Sequence, residues 1–243
     1  MVLTFDAQIG FADLLVQRYD QLWPSHPFEF LIPYQDAGGV PTSLNDNPRC
    51  RLVRAAGDIR SSMTALLDGV EDGDWVFWAI DDRYPIQVCE PDRLDQVTRA
   101  VMANEAPDIG AVRLLRWKEN LSTETVVLGG VEFRLQQPGD TRGFWIHQFV
   151  RAGVLREVFL NEDLPMVYSI RVLHAAYRAR GRPRMSERIL VPSQSLLYFA
   201  EPCTSGKLIS AARDDLMAAG CMPPDYEVMI GSKLFNDQRR GWP

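Results

Sequence analysis

A run of six apolar residues, Trp75–Ile80, ends abruptly in the acidic pair Asp81 and Asp82. The run is rich in aromatic and β-branched residues, which are enriched in strands. An uninterrupted apolar strand is typical of the centre of a sheet that helices cover on both faces. Ligands of open α/β sheets bind beyond the carboxyl ends of such strands. The pattern therefore predicts an α/β fold with Asp81 and Asp82 at a candidate site.

The segments around this strand alternate short apolar runs with helical patterns, as β-α-β units do. We predict strands at residues 2–5, 28–33 and 50–55, and a helix after Asp58, which is a candidate N-cap. An antiparallel element is expected around residues 129–130. A further helix is expected from Leu208 to the glycine at 220.

The composition limits the classes of protein that this chain can be. With 243 residues, 46% of them hydrophobic, it can bury a substantial core. Its net charge of −6 argues against non-specific nucleic-acid binding, so no nucleic-acid partner is expected. The four scattered cysteines form no C-x-x-C pair, and neither a signal peptide nor an apolar run of about 18 residues is present. We expect a soluble, cytoplasmic protein with no transmembrane segment.

Two adjacent carboxylates at the end of a buried strand repel each other unless a cation or hydrogen-bond donors compensate. Mn²⁺ or Mg²⁺ fits this role, because proteins hold such ions with one or two carboxylates plus substrate phosphates. The alternative is a polar turn, in which one aspartate caps a backbone amide and the other pairs with Arg83. From the two aspartates alone, both interpretations stay open.

An apolar strand that runs into Ile80-Asp81-Asp82-Arg83-Tyr84 after a β-α-β half resembles the GT-A glycosyltransferases, whose signature is a D-x-D-type motif. The motif departs from strict D-x-D because Arg83 takes the third position. The resemblance implies a single GT-A-like, Rossmann-like domain over residues 1–243, with a mixed, mainly parallel central sheet flanked by helices. Residues 1–90 would form its nucleotide-binding half and residues 91–243 its acceptor-side half.

The resemblance also implies a function, which is the metal-dependent transfer of a sugar from a nucleotide diphosphate, with a UDP-sugar as the first choice, to an unknown acceptor. Asp81 and Asp82 would hold Mn²⁺ or Mg²⁺. The implied nucleotide-binding residues are Thr4, Phe5, Asp58, Arg60, Asp81 and Lys207. Four of them have a purely structural alternative: strand positions for Thr4 and Phe5, a helix cap for Asp58, and a solvated lysine at a helix start for Lys207. Arg60 is less easily explained, because the dipole in the first turn of a helix disfavours cations.

The catalytic base is the weakest part of this prediction. Related sequences often carry an acidic residue where Ser169 stands here. Glu162 and Asp163 are the nearest substitutes, and a solvated loop or a helix cap explains them equally well. The departure at Ser169 leaves open a catalytically inactive protein that binds nucleotides on a GT-A fold.

The remaining motifs support other classes less well. No P-loop, G-x-G-x-x-G or G-x-S-x-G motif is present. His147 is kept as a possible acceptor-site residue. A basic cluster is interpreted as a solvated helix end, and the alternative is that it binds an anionic acceptor, a membrane surface or nucleic acid. The cluster comprises Arg178, Arg180, Arg182, Arg184 and Arg188. A protein-interaction module that uses the aromatic residues Trp117, Phe144 and Trp145 is the other rival to the enzyme.

Overall fold

A computed structural model describes most of the chain. The described residues are 1–81, 83–116, 121–136, 146–160, 188–201, 203–204, 207–221, 223 and 225–230.

The described strands and helices alternate through the first half, as the sequence predicts. The strands are β1 (Val2–Leu3), β2 (Phe30–Tyr34), β3 (Cys50–Arg54), β4 (Trp75–Ile80), β5 (Tyr84–Val88), β6 (Ala111–Arg113), β7 (Leu121–Leu128), β8 (Val131–Gln136), β9 (Gln148–Arg151), β10 (Ile189–Pro192), β11 (Leu197–Ala200), β12 (Cys203–Thr204), β13 (Lys207–Ile209) and β14 (Val228–Met229). The α-helices are α1 (Ile9–Leu22), α2 (Thr42–Asn45), α3 (Ile59–Leu66), α4 (Pro91–Met102), α5 (Ala152–Phe159) and α6 (Ser210–Ala218). No helix within the described ranges is both long and apolar enough to cross a bilayer.

Seven of the described strands form the central sheet, in the order β1-β4-β9-β6-β10-β8-β7. The pairs β1–β4 and β6–β10 are parallel, and the other four pairs are antiparallel. Five of these strands, β1, β4, β6, β10 and β7, therefore run in one direction, and β9 and β8 run in the other. This mixed sheet, flanked by helices, confirms the predicted α/β fold class.

The central strand β4 is buried on both faces, as its unbroken apolar sequence predicts. Phe77 and Ala79 enter the core formed with α1 and α4. Trp78 and Ile80 point to the opposite face, into the core formed with α3 and α5. Because neither face meets water, no polar alternation is needed, and the strand reads as a continuous apolar run.

The order of the first four strands reverses at β1. The chain leaves β1 and forms the parallel pair β2–β3, of which β2 lies beside β1. It then returns through α3 to place β4 against the other edge of β1. Such a reversal opens a crevice at the carboxyl ends of the two strands, which is the usual ligand site of open α/β sheets. In this chain the carboxyl ends of β1 and β4 are therefore the expected position of such a crevice.

Two local predictions need adjustment. The element around residues 129–130 is the antiparallel hairpin β7–β8, as predicted, with a register shift within β7. The last predicted helix is wrong at its start, because Leu208 belongs to strand β13 and α6 begins at Ser210. Leu208 pairs with Cys203 and Val228. The helical spacing of Leu208 does not reveal this pairing, because Val228 lies twenty residues away.

Candidate functional site

Thr4 and Asp81 meet at the carboxyl ends of β1 and β4. The Thr4 hydroxyl donates a hydrogen bond of 2.6 Å to Oδ2 of Asp81. Both residues are buried, with relative exposures of 1% and 6%. A carboxylate with so little contact with water needs donors or a cation nearby, and Thr4 supplies one donor.

The backbone at Asp81 forms a tight turn after β4. The Arg83 amide donates to the Ile80 carbonyl over 3.3 Å, which closes a turn between these two residues. Arg83 then forms an ion pair of 2.8 Å with Glu201, and both side chains are largely buried. Glu201 directly follows β11, which pairs with β5. The acidic turn is therefore attached to a second strand pair through Arg83.

The loops after β1 and β2 contact each other through Asp6. Both oxygens of the Asp6 carboxylate accept backbone hydrogen bonds of 2.8 Å, one from Gln35 and one from Asp36. The Gln35 side chain lies against Gly57 in the loop after β3, so closely that a Cβ on Gly57 would lie 2.1 Å from Gln35 Nε2. Gly57 has a φ of +88°, which favours glycine. These contacts bring together the loops after β1, β2 and β3.

Asp58 is the N-cap of α3, as predicted. Its carboxylate accepts hydrogen bonds from the Ser61 amide, at 2.9 Å, and from the Ser61 hydroxyl. Burial raises the pKa of Asp58. The hydrogen bonds from Ser61 and from nearby backbone amides lower this pKa by more, so the net shift is downward. The capping role explains the carboxylate without a ligand. Arg60 lies in the first turn of the same helix.

Lys207 and Phe5 are two further residues that the resemblance assigns to the nucleotide. Lys207 begins strand β13 instead of a helix, so the predicted helix-start environment is wrong. Its ammonium forms an exposed ion pair of 2.6 Å with Glu227. Phe5 is half-buried and packs against the core on the α3 side of the sheet.

His147 lies behind the acidic turn. It is fully buried, and its ring nitrogens form hydrogen bonds with Tyr19, at 2.7 Å, and with the Ile80 carbonyl, at 3.0 Å. Burial is the main reason why the pKa of His147 falls to about 3, and the nearby Arg83 guanidinium lowers it further. A ring enclosed in this way does not reach an acceptor in solvent, so the hypothesis of an acceptor-site histidine is wrong.

Tyr226, in the C-terminal part of the described chain, packs against the segment that follows β1. Its ring stacks on Phe11 at 4.6 Å between centroids, and its hydroxyl donates to the Ala7 carbonyl over 2.9 Å. Burial raises the pKa of Tyr226, and the negative charge of Asp81 adds to this increase. The phenol is therefore close enough to Asp81 to be affected by its charge.

A metal site at Asp81 would have few protein ligands. Within the described ranges no three carboxylate, imidazole or thiol side chains cluster so as to hold an ion. Mg²⁺ and Mn²⁺ sites that use substrate phosphates need only one or two protein carboxylates. Asp81, buried at a strand end with Thr4 on one oxygen, suits this kind of site.

A cavity of about 600 Å³ lies at the opposite end of β4. Trp75, Phe77 and Arg151 contribute to its wall. The Arg151 guanidinium lies 4.0 Å from the centre of the Trp75 ring and donates to several backbone carbonyls. None of the described site residues predicted from the sequence lines this cavity.

Several predicted residues lie outside the described ranges. They are Asp82, Glu162, Asp163 and Ser169, the aromatic residues Trp117, Phe144 and Trp145, and Arg178, Arg180, Arg182 and Arg184. The described member of the basic cluster, Arg188, is partly exposed and pairs with Asp108 over 2.6 Å.

The structure brings together polar residues that the sequence analysis did not select. They are Asp6, which accepts from the Gln35 amide, Tyr19, which bonds to His147, and Glu201, which pairs with Arg83. The only local signal was the position of Asp6 directly after the first apolar strand. The other two meet their partners through long-range packing, which sequence spacing does not show. No protein-family model and no curated protein matches the chain significantly.

Proposed function

We propose that the crevice at the ends of β1 and β4 binds a nucleotide-diphosphate sugar, with UDP as the first candidate nucleotide, together with Mn²⁺ or Mg²⁺. The proposed activity is glycosyl transfer to an acceptor hydroxyl. The observation that supports it best is the hydrogen bond between Thr4 and Asp81, because it puts a buried carboxylate at the point where the strand order reverses.

In this proposal, Asp81 and Asp82 supply the negative ligands and Thr4 fixes the orientation of Asp81. When bound, the ion would neutralise the charge that grows on the departing diphosphate. The bond from the sugar to the diphosphate oxygen breaks, and a bond to the acceptor oxygen forms. The acceptor proton passes to a base, for which Glu162 and Asp163 stay the candidates.

Two cations are proposed for the nucleotide side. Arg60 is in the first turn of α3, next to the loops that converge on Gly57. Lys207 is partly exposed, and its surface ion pair with Glu227 is of a kind that contributes little free energy. A diphosphate offers Lys207 more negative charge than one carboxylate does. We also propose the cytoplasm as the location, because Cys50, Cys89 and Cys221 form no disulfide in the structure.

The experiment is thermal unfolding of the wild-type chain with UDP alone, Mn²⁺ alone, both ligands and neither. Ligand at about 100 times its Kd stabilises the folded state by roughly 2.7 kcal/mol. We expect the full shift only when UDP and Mn²⁺ are both present. A screen of UDP-sugars for Mn²⁺-dependent hydrolysis or transfer then separates an enzyme from a protein that binds nucleotides without turnover.

A matched pair of variants locates the site. Asp81→Asn keeps the size of the side chain but removes its charge, and it is expected to abolish the shift. Asp72→Asn removes an exposed carboxylate that pairs with Arg156, and it should leave the shift intact. Equal shifts in both variants, or no shift in the wild-type chain, would exclude the proposed site.

A further inference from the structure

The carbonyl of Ile80 accepts two hydrogen bonds. One comes from the Arg83 amide and closes the acidic turn, and the other involves His147 Nε2 at 3.0 Å. A carbonyl oxygen has two lone pairs, so these contacts use its full accepting capacity. The backbone immediately before Asp81 is therefore held both within the turn and from behind it.

The hydrogen-bond directions follow from the chemistry of the partners. A carbonyl only accepts, so Nε2 of His147 carries the proton. In a neutral ring Nδ1 is then an acceptor, and the Tyr19 hydroxyl, 2.7 Å away, donates to it. Both side chains are fully buried, so no water competes for these positions. The result is a pair of linked hydrogen bonds, in which Tyr19 donates to His147 and His147 donates to the carbonyl of Ile80.

These linked hydrogen bonds connect parts of the fold that are distant in sequence. Tyr19 belongs to α1, which starts soon after β1, and its ring lies 5.8 Å from that of His147. Phe199 of β11 packs against the other side of the imidazole at 4.5 Å. Packing and hydrogen bonds together leave the ring one orientation, in which Nε2 faces the carbonyl of Ile80.

We propose that Tyr19 and His147 are positioning residues for the Asp81 turn, and that through this turn they set the affinity of the site for a divalent cation. The inference rests on the proposed function for its binding consequence. Groups that orient a metal ligand without touching the ion typically change metal affinity by about 10-fold to 100-fold when they are removed. Tyr19 and His147 would act in this way through the backbone of Ile80.

The test uses Tyr19→Phe, which removes one hydroxyl and keeps the ring. His147→Phe removes both hydrogen bonds, and His147→Gln keeps an amide donor for the Ile80 carbonyl. The matched control is Thr98→Val, which removes a buried hydroxyl bonded to Leu94 in α4, away from the turn.

The first readout is the hydrogen-exchange rate of the Arg83 amide, which needs no ligand. We expect it to rise at least about fivefold in Tyr19→Phe and His147→Phe, but not in Thr98→Val. The second is the Kd for Mn²⁺ in the presence of UDP, measured by calorimetry. It should rise about 10-fold or more in the same two variants and recover partly in His147→Gln.

The outcomes separate the two proposals. If the wild-type chain binds no Mn²⁺ with UDP, the proposed function fails, and the exchange rates still decide whether Tyr19 and His147 hold the turn. Exchange rates that match Thr98→Val overturn the positioning role. Faster exchange with a wild-type Kd for Mn²⁺ overturns the link between the turn and cation binding.

Discussion

The hydroxyl of Thr4 donates a hydrogen bond to Oδ2 of Asp81 over 2.6 Å, although the two residues are 77 positions apart in the chain. The contact follows from the parallel pairing of β1 with β4, which sets Leu3 opposite Ile80. The next residue of each strand then leaves the sheet at the same edge. A short polar side chain and a carboxylate thus meet at the mouth of the crevice.

Thr4→Val tests this contact directly. Valine keeps the shape of threonine but leaves an oxygen of the buried Asp81 without its donor, which should lower the free energy of unfolding by about 1–3 kcal/mol. Urea unfolding measures the change. Thr4→Ser retains a hydroxyl and should lose less stability. Equal losses in the two variants would mean that packing, and not the hydrogen bond, accounts for the effect.

His147 should make stability depend on pH. Its pKa is about 3 in the folded chain and about 6.5 when exposed, so the unfolded chain binds an extra proton below pH 6.5. The stability that the fold gains from a neutral His147 is therefore fully present above pH 6.5 and declines as the pH falls towards 3. Between pH 6.5 and pH 5 the loss should be roughly 1.5–2 kcal/mol.

The matched variant for this pH effect is His147→Gln, which has no titrating ring. Its unfolding free energy should lack the part of the pH dependence that comes from His147. The pKa of His26 is also lowered, but the wild-type chain and His147→Gln share that contribution. Identical pH profiles for the wild-type chain and His147→Gln would contradict the burial of a neutral His147.

Asp58 has a capping role that can be separated from nucleotide binding. Asp58→Ala removes the N-cap of α3 and should cost about 1 kcal/mol of stability. Asp58→Ser supplies another good cap and should keep most of it. If Asp58 also contacts the nucleotide, the serine variant still loses UDP affinity, measured by calorimetry. If UDP affinity is unchanged in the serine variant, capping accounts for the residue.

Gly129 and Gly130 provide a matched test of the β7–β8 hairpin. Both have positive φ, of +56° and +74°, so alanine is strained at either position. A Cβ on Gly129 would also lie 2.6 Å from backbone atoms of Gln96, whereas one on Gly130 would approach only a flexible side chain, at 3.6 Å. Gly129→Ala should therefore cost about 3 kcal/mol or more, and Gly130→Ala about 1–2 kcal/mol. Chemical denaturation of both variants checks this order, and equal losses would contradict the close approach at Gly129.

The sequence by itself determined the elements whose signals are local. The apolar run Trp75–Ile80 predicted a doubly buried central strand, because hydrophobicity over six residues is a local property that burial on both faces requires. Asp58 as a helix cap was likewise predictable, since it acts on backbone amides within a few residues. The GT-A resemblance adds a functional prediction that stays a proposal.

Only the tertiary structure decided which distant polar groups meet. The partners of Asp81, Ile80 and Arg83 come from segments about 70 to 120 residues away along the chain. No periodicity records such distances, because they depend on strand order and on the packing of α1 and β11 against the sheet. For the same reason the sequence left His147 as a possible acceptor-site residue, whereas in the fold it is buried and hydrogen-bonded.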